Sequence, residues 1–482
     1  MSIIIFIFIL FKFSFNLMIF PFKQAFEHKN GAITMDSKEY NGAHYAIDYF
    51  NTKLYTEIKM GYPIQKIKIL LAGELCAFKI GKSINCIYSD EYLSYYNRND
   101  SKDFTYTSKH SMYDHEFNNQ YGSTAEDTLY AYTDLKLENE KPFKNVGFYL
   151  GTDTRDKLCG IIGLENDNFV CQRIYNIVKD CKTKNYISNN KFMLKYTNSI
   201  NEGLFIIGSE FKEVIDNYNE NNTFTTQLST RVDIYKFGFE INKATLLTKK
   251  GNEENEEIEI ETNIPGEINN DRGLFVASPK YFEKFNESFF KYYLENKICT
   301  RNIYDNDPQL KISEKYSVIE CDKAKFGEND LKKFPTFYLY VGEYFEEKKF
   351  FFDYKDLFTE NNYKYFFNII FDNSVRSKLE IGKIFLKKYP INFHLDDKIL
   401  EIYDSYEQKP IDNNGESPKP EKKNNTFLYV VIIILLIGIT GVLGYFLGKY
   451  LNKIRKKRAN ELLDDFDYRP EIGPRTDESI NS

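Results

Sequence analysis

Two apolar runs in this chain end in polar glycine turns, and such turns are where a fold can hold a reactive side chain. The first, "ILLAGELCAF" (69–78), delivers Ala72-Gly73-Glu74-Leu75. The second, "GEINNDRGLFVASPKYFEKF" (266–285), delivers Asn270-Asp271-Arg272-Gly273. Two carboxylates held about 3 Å apart can share one proton, one then acting as base towards water and the other as acid. The turns offer only Glu74 and Asp271 for that work. Metal chemistry has weaker grounds still. The seven cysteines include no CxxC pair and the five histidines are scattered, so no metal and no cofactor are expected.

The elements that would position these turns read as strands. From about Asn51 to Asp404, short runs rich in Val, Ile, Tyr and Phe alternate with polar, Gly-containing turns, as in "YTEIKM", "EGLFIIG", "YKFGFEI" and "TFYLYVG". Helical spacing occurs in "SPKYFEKFNESFFKYYLEN", after a Ser-Pro start. This is a mainly-β region too long for one simple sandwich. "NEENEEIEIE" (252–261) reads as a solvated loop or edge hairpin. Residues 405–426, rich in Pro, Asn and Lys, read as a flexible stalk. The net charge of -6 is spread over both signs with no basic face outside the C-terminal tail, which excludes nucleic acid as the expected partner.

Both ends point to a membrane. Residues 1–22 are apolar apart from Lys12 and read as a secretory signal peptide, or as a signal anchor that stays in the bilayer. Phe427–Leu447 carries no charge, and about 20 such residues span a hydrocarbon core. "KYLNKIRKKR" follows, and its cations belong on the cytosolic side, so a single-pass type I protein is expected, with 448–482 as its cytosolic tail. Gly444 and Gly448 form a GxxxG pair that offers a dimer contact. The sequons at Asn99, Asn221, Asn286 and Asn424 all precede the span and are glycosylation candidates. All seven cysteines lie there too, where an oxidising lumen favours disulfides, and their odd number leaves at least one thiol free or paired between chains.

The order of several motifs resembles the pepsin-like aspartic proteases (eukaryotic aspartyl proteases, peptidase family A1). "YTEIKMGYPIQKIKILL" supplies Gly61, Pro63 and Gln65 at the spacing that precedes that family's first catalytic loop. "QYGSTAEDTLYAYTDLKL" is similar to its flap, with Tyr121, Gly122, Ser123 and Asp134. "CGIIGLEND" (159–167) resembles the Gly-Ile-Leu-Gly-Leu that crosses behind the first aspartate. "LEIGKIFLKKYPINFHLDDKILEIYD" (379–404) follows the terminal pattern. The resemblance implies a bilobal fold with a cleft for a peptide, a flap formed by Tyr121, Gly122 and Ser123, and a disulfide between Cys299 and Cys321. It leaves the pairing of Cys76, Cys86, Cys159, Cys171 and Cys181 open.

Against that family's Asp-Thr/Ser-Gly-Thr/Ser loops both turns are degenerate. Ala72 falls at the first aspartate, or else the aspartate is deleted; Glu74 is out of register. Counting back from Ser278-Pro279 puts Asn270 or Asp271 at the second. The chain is therefore expected to be mainly β, with a signal peptide (1–22), an N-terminal segment (23–50), two pepsin-like lobes (51–210 and 211–404), the stalk and one transmembrane helix (427–447). The expected function is that of a catalytically silent aspartyl-protease-like glycoprotein of the secretory or endosomal membranes or cell surface, binding a peptide or protein ligand between its lobes. The alternatives are an active aspartic endopeptidase with atypical residues and a structural surface glycoprotein.

Overall fold

β-Branched and aromatic residues alternating with polar ones favour a pleated, half-buried backbone, and strands dominate this protein. The computed structural model describes residues 17–405, except 28–32, 35–51, 73–77, 82–95, 115–119, 152–159, 165–175, 198–201, 233–235, 249–255, 271, 305–314, 343–346, 362 and 376, together with Lys449. The described strands form one 14-stranded and one 11-stranded sheet. The mainly-β, two-lobed expectation is met.

The N-terminal strand, Met18–Glu27, sits inside the first sheet. It pairs antiparallel with Glu202–Ile207, from Met18 opposite Ile207 to Lys23 opposite Glu202, and further on with Thr52–Met60. Met18, Ile19, Phe20 and Phe22 are all buried. This pairing bears on two expectations. A signal peptide ending at residue 22 would remove half of a paired, buried strand, and residues 23–27 continue that strand instead of opening a separate segment. The physical reason is that a strand covered on both faces is apolar throughout, so its periodicity cannot be told from a signal core.

The boundary at 210/211 also divides the sequence without dividing the sheets. Thr223–Gln227, Ile391–His394 and Ile399–Tyr403 all join the first sheet. The seam is the antiparallel pairing of Lys191–Tyr196 with Ile391–His394. There the rings of Phe192 and Phe393 stack 4.7 Å apart, and Phe237 meets Phe393 edge-on at 4.8 Å. Asn190 donates to Asp396 at 2.7 Å, and Asn392 to the Ser209 carbonyl at 3.1 Å, so the two amide nitrogens beside the rings are engaged.

In the second lobe, the helix expected after Ser278 starts with Pro at its first turn and covers Pro279–Phe285. It continues through a π-turn, Asn286–Phe290, into Lys291–Glu295. Its buried face carries Tyr281, Phe285, Phe290 and Tyr293. Phe285 alone lies beside the rings of Phe334, Phe337 and Phe367, and burying one such side chain stabilises by about 1.5–3 kcal/mol.

Among the described residues no helix is long and apolar enough to cross a membrane. The expected span, with Gly444 and Gly448, lies outside them, as do Asn424 and the stalk beyond Ser405. The chain divides into two units after Glu407. N-terminal sequencing of the protein from secretory membranes should find an end at or before Leu17. An end at Lys23 would mean that the strand residues paired with 203–207 are dispensable.

Candidate functional site

Each lobe contains the same four-strand unit. In the first, Gln65–Ala72 runs parallel to Gly160–Gly163, which lies antiparallel to Phe78–Gly81, which in turn runs parallel to Glu140–Gly151. In the second, Glu256–Ile268 runs parallel to Leu379–Ile381, which lies antiparallel to Phe275–Ala277, which runs parallel to Ile369–Asp372. In both units a strand from far along the chain inserts between two strands joined by the polar turn. The strand end before each polar turn, at Ala72 or Ile268, is thereby held beside the inserted strand.

The register fixes which residues meet there. Ala72 stands opposite Gly163. In the second lobe Ile268 stands opposite Ile381 and the Asn269 N–H donates to the Ile381 carbonyl at 2.9 Å, so the next step sets Asn269 opposite Gly382. The turn then closes on itself: the Arg272 N–H reaches the Asn269 carbonyl at 3.2 Å and the Lys383 N–H reaches the Arg272 carbonyl at 2.9 Å. Only glycine fits at 382, because a Cβ there would lie 2.2 Å from the Leu274 carbonyl oxygen and 2.8 Å from that of Arg272. Ala72 and Asn269 are thus equivalent strand ends, Asn269 lying one or two residues before the places, Asn270 or Asp271, found by counting back from Ser278-Pro279. Asn270 follows and is buried; Asp271 and Glu74 lie outside the described residues.

A methyl group and a carboxamide occupy these two ends. The amide can donate and accept hydrogen bonds, but neither group can hold or pass a proton at ordinary pH. Two residues earlier the lobes also differ. Leu70 faces Ile161 in the first, whereas Glu267 faces Glu380 in the second. Like charges side by side in a sheet repel, and this pair is compensated. Lys378 lies 2.8 Å from Glu267 and 3.4 Å from Glu380, and the Arg272 Nε is 3.9 Å from Glu380. Burial alone would depress the Lys378 ammonium; Glu380 and Glu267 outweigh it and hold the pKa above the ordinary 10.5. Burial also holds the Asp372 carboxyl above 3.8, against hydrogen bonds from the Ser374 N–H and hydroxyl.

Tyr121, Gly122 and Ser123 lie at the start of the long strand Gln120–Tyr132, with Gly122 opposite Gly151 and Ser123 opposite Leu150. Gly160–Gly163, Phe78–Gly81 and Glu140–Gly151 separate that strand from the one ending at Ala72. Asp134 is not part of the strand. It is half-buried in the following turn, where its carboxylate accepts the N–H groups of Lys136, Glu138 and Asn139. A tight hairpin needs such an acceptor, and that is its role here.

The sequence reading missed Asp127, which is fully buried on the same strand. The Tyr96 hydroxyl donates to it, as does the Thr128 N–H at 2.7 Å. Gly61, at φ +77°, packs against Asp127 and Ser101, and its N–H donates to the Thr128 carbonyl at 2.8 Å. Gln65 exchanges two hydrogen bonds with the backbone of Asn97, at 2.9 and 2.7 Å. The Gly-x-Pro-x-Gln turn therefore ties residues 97–101 to the strand Gln120–Tyr132. The signal available in sequence was Asp127 itself, seven residues before Asp134 in the same flap-like stretch.

Cys299 and Cys321 form a disulfide across directly opposed strand residues. Cys181 is a free, buried thiol, and burial raises its pKa; Cys76, Cys86, Cys159 and Cys171 lie outside the described residues. Asn99 and Asn221 are exposed in short 3-10 turns. Asn286 is half-buried in the π-turn, its Oδ1 enclosed without a hydrogen-bond partner. No cluster of His, Cys, Asp and Glu among the described residues could hold a metal.

No family model matches the chain, and no curated protein matches it by sequence. Solved structures do match. The crystal structure of basic 7S globulin from soybean superposes with a TM-score of 0.51 at 11% identity, over 81% of this chain and 95% of that one. The likeness is one of fold and spans both lobes: the architecture is pepsin-like.

Burial raises the Asp127 carboxyl above 3.8, despite hydrogen bonds from Tyr96, Ser101 and Thr128 that pull it down. A carboxyl raised in the folded state contributes stability that is whole below the unfolded value and is lost as pH rises through the folded one. Asp127→Asn keeps an acceptor but does not titrate, so its melting temperature should gain on the parent's as pH rises from 4 to 7. Tyr96→Phe strips a donor from a buried acceptor and should cost about 1–3 kcal/mol in denaturant unfolding. A pH-independent difference for Asp127→Asn would show that the carboxyl is not held up.

Proposed function

We propose that this protein is a membrane-anchored, catalytically silent member of the pepsin-like fold, whose inter-lobe cleft binds an extended peptide or protein segment without cleaving it. One observation carries the reading: Ala72 opposite Gly163 and Asn269 opposite Gly382 leave no carboxylate at either equivalent strand end. Hydrolysis by this fold needs two carboxylates sharing a proton. A lone Asp271 would have Arg272 beside it, which favours the ionised form, and no partner carboxylate at Ala72.

The disulfide Cys299–Cys321 belongs to an oxidising compartment and supports the secretory pathway. The uncharged stretch 427–447 followed by a basic run supports a type I anchor, with the lobes on the lumenal or extracellular side and a short cytosolic tail. A GxxxG pair at Gly444 and Gly448 supports a dimer through the span.

The test is to incubate the full chain with a degenerate peptide library from pH 3 to 7, with and without a pepstatin-type inhibitor. Expected is retention of a subset of peptides, no cleavage at any pH, and the same retention by Asp271→Ala. Pepstatin-sensitive cleavage lost in Asp271→Ala would overturn the proposal. Neither cleavage nor retention would leave the structural-glycoprotein reading standing in its place.

A further inference from the structure

A polar hollow of about 360 Å³ opens in the second lobe and shares no lining residue with the two glycine-capped strand ends. Its floor is one face of a three-stranded patch. Thr300 and Asn302 alternate along Cys299–Tyr304, Glu320 and Asp322 along Tyr316–Asp322, and Lys364 opens Lys364–Phe367. Thr300 stands opposite Glu320, and Asp322 opposite Lys364, so strand alternation puts all five side chains on the same face. The disulfide Cys299–Cys321 clamps two of these strands at the floor.

Glu320 is 5% exposed and accepts a hydrogen bond from the Lys364 ammonium at 2.6 Å. At the rim, Tyr363 is 82% exposed, the most open of the large apolar side chains described. The backbone at its hairpin tip is nevertheless tied down, the Tyr363 carbonyl accepting the Lys323 N–H at 3.0 Å. A tyrosine ring is thus presented to solvent beside a fixed polar floor.

We propose that this hollow binds a neutral saccharide. Lys297 and Lys364 offset Glu320 and Asp322, so the lining carries no net formal charge and gives an ionic ligand no net attraction. Carboxylates, an amide, a hydroxyl and an ammonium together offer donors and acceptors at close spacing, which suits a ligand dense in hydroxyl groups. A sugar ring also has an apolar C–H face, and the open Tyr363 ring is the surface on which it stacks. An extended peptide needs apolar side-chain pockets, and Ile298 is the only aliphatic residue in the lining. The volume lies in the range of small-ligand sites. This proposal does not depend on the cleft reading.

The test uses the full chain, stripped of N-glycans and kept in a detergent without a sugar headgroup. Saturation-transfer NMR is recorded against the methyl glycosides of glucose, galactose, mannose and N-acetylglucosamine. At least one should show transfer to its ring protons. Tyr363→Ala should abolish the transfer, Tyr363→Phe should keep it, and Asn302→Ala should weaken binding about tenfold, all with unchanged melting temperature. No transfer from any of the four, or transfer that survives Tyr363→Ala, overturns the proposal. If Tyr363→Ala melts early, Asn302→Ala decides instead: undiminished binding there overturns it.

Discussion

Everything between the lobes depends on one joint: three residues, Lys191, Phe192 and Met193, paired with His394, Phe393 and Asn392. Strands from both halves of the chain make a continuous sheet there, and the stacked Phe192 and Phe393 rings exclude water from it. Charge completes the joint at its edge. Lys191 lies 2.9 Å from Glu210 and 3.8 Å from Glu401, and the Nε2 of His394 lies 2.6 Å from Glu401. Burial pushes the Glu401 carboxyl up, yet His394, Lys191 and Asn392 outweigh it and hold its pKa below 4.5. The joint is thus held by backbone pairing, stacked rings and ion pairs together.

That separation explains how the scaffold persists without a carboxylate at Ala72 or Asn269. Each strand end is fixed by backbone pairing and by a glycine, at 163 or 382, whose place no larger residue can take in the second lobe. Bringing two like charges together is costly, so strand ends without carboxylates cost the fold nothing in stability. The second lobe has used the freedom differently from the first, placing Glu267, Glu380, Lys378 and Arg272 where the first has Leu70 and Ile161.

Much of this was legible in sequence because it rests on short-range rules. Gly61, Pro63 and Gln65 announce a turn, and that turn exists. The helix after Ser278-Pro279 and the strands around "IKILL" follow their own periodicity. Three things were not legible. Met18–Phe22 is apolar whether it ends a signal or fills a sheet, and only its pairing with 203–207 distinguishes them. Asp134 and Asp127 are alike in type, and only burial separates a hairpin acceptor from the buried root of the flap. The place of Asn269 is a matter of register against residues more than a hundred positions later, and no local pattern encodes register across such a distance.

The position of the first strand has a consequence for how the protein is made. Met18–Glu27 leaves the ribosome long before one of the strands it pairs with, Glu202–Ile207, whose other neighbour, Lys191–Tyr196, must in turn wait for Ile391–His394. Contacts so far apart in sequence form slowly, and an unpaired apolar strand is the kind of edge on which chains aggregate. Thr52–Met60 covers one side of this strand early, and its other side stays open until Glu202–Ile207 is made. The edge at Lys191–Tyr196 then stays open until Ile391–His394 is made, so the nascent chain carries an unpaired edge through most of its translation. Its escape from aggregation is a problem for the compartment into which it emerges, where that edge needs shielding until the final fifth of the chain closes the sheet.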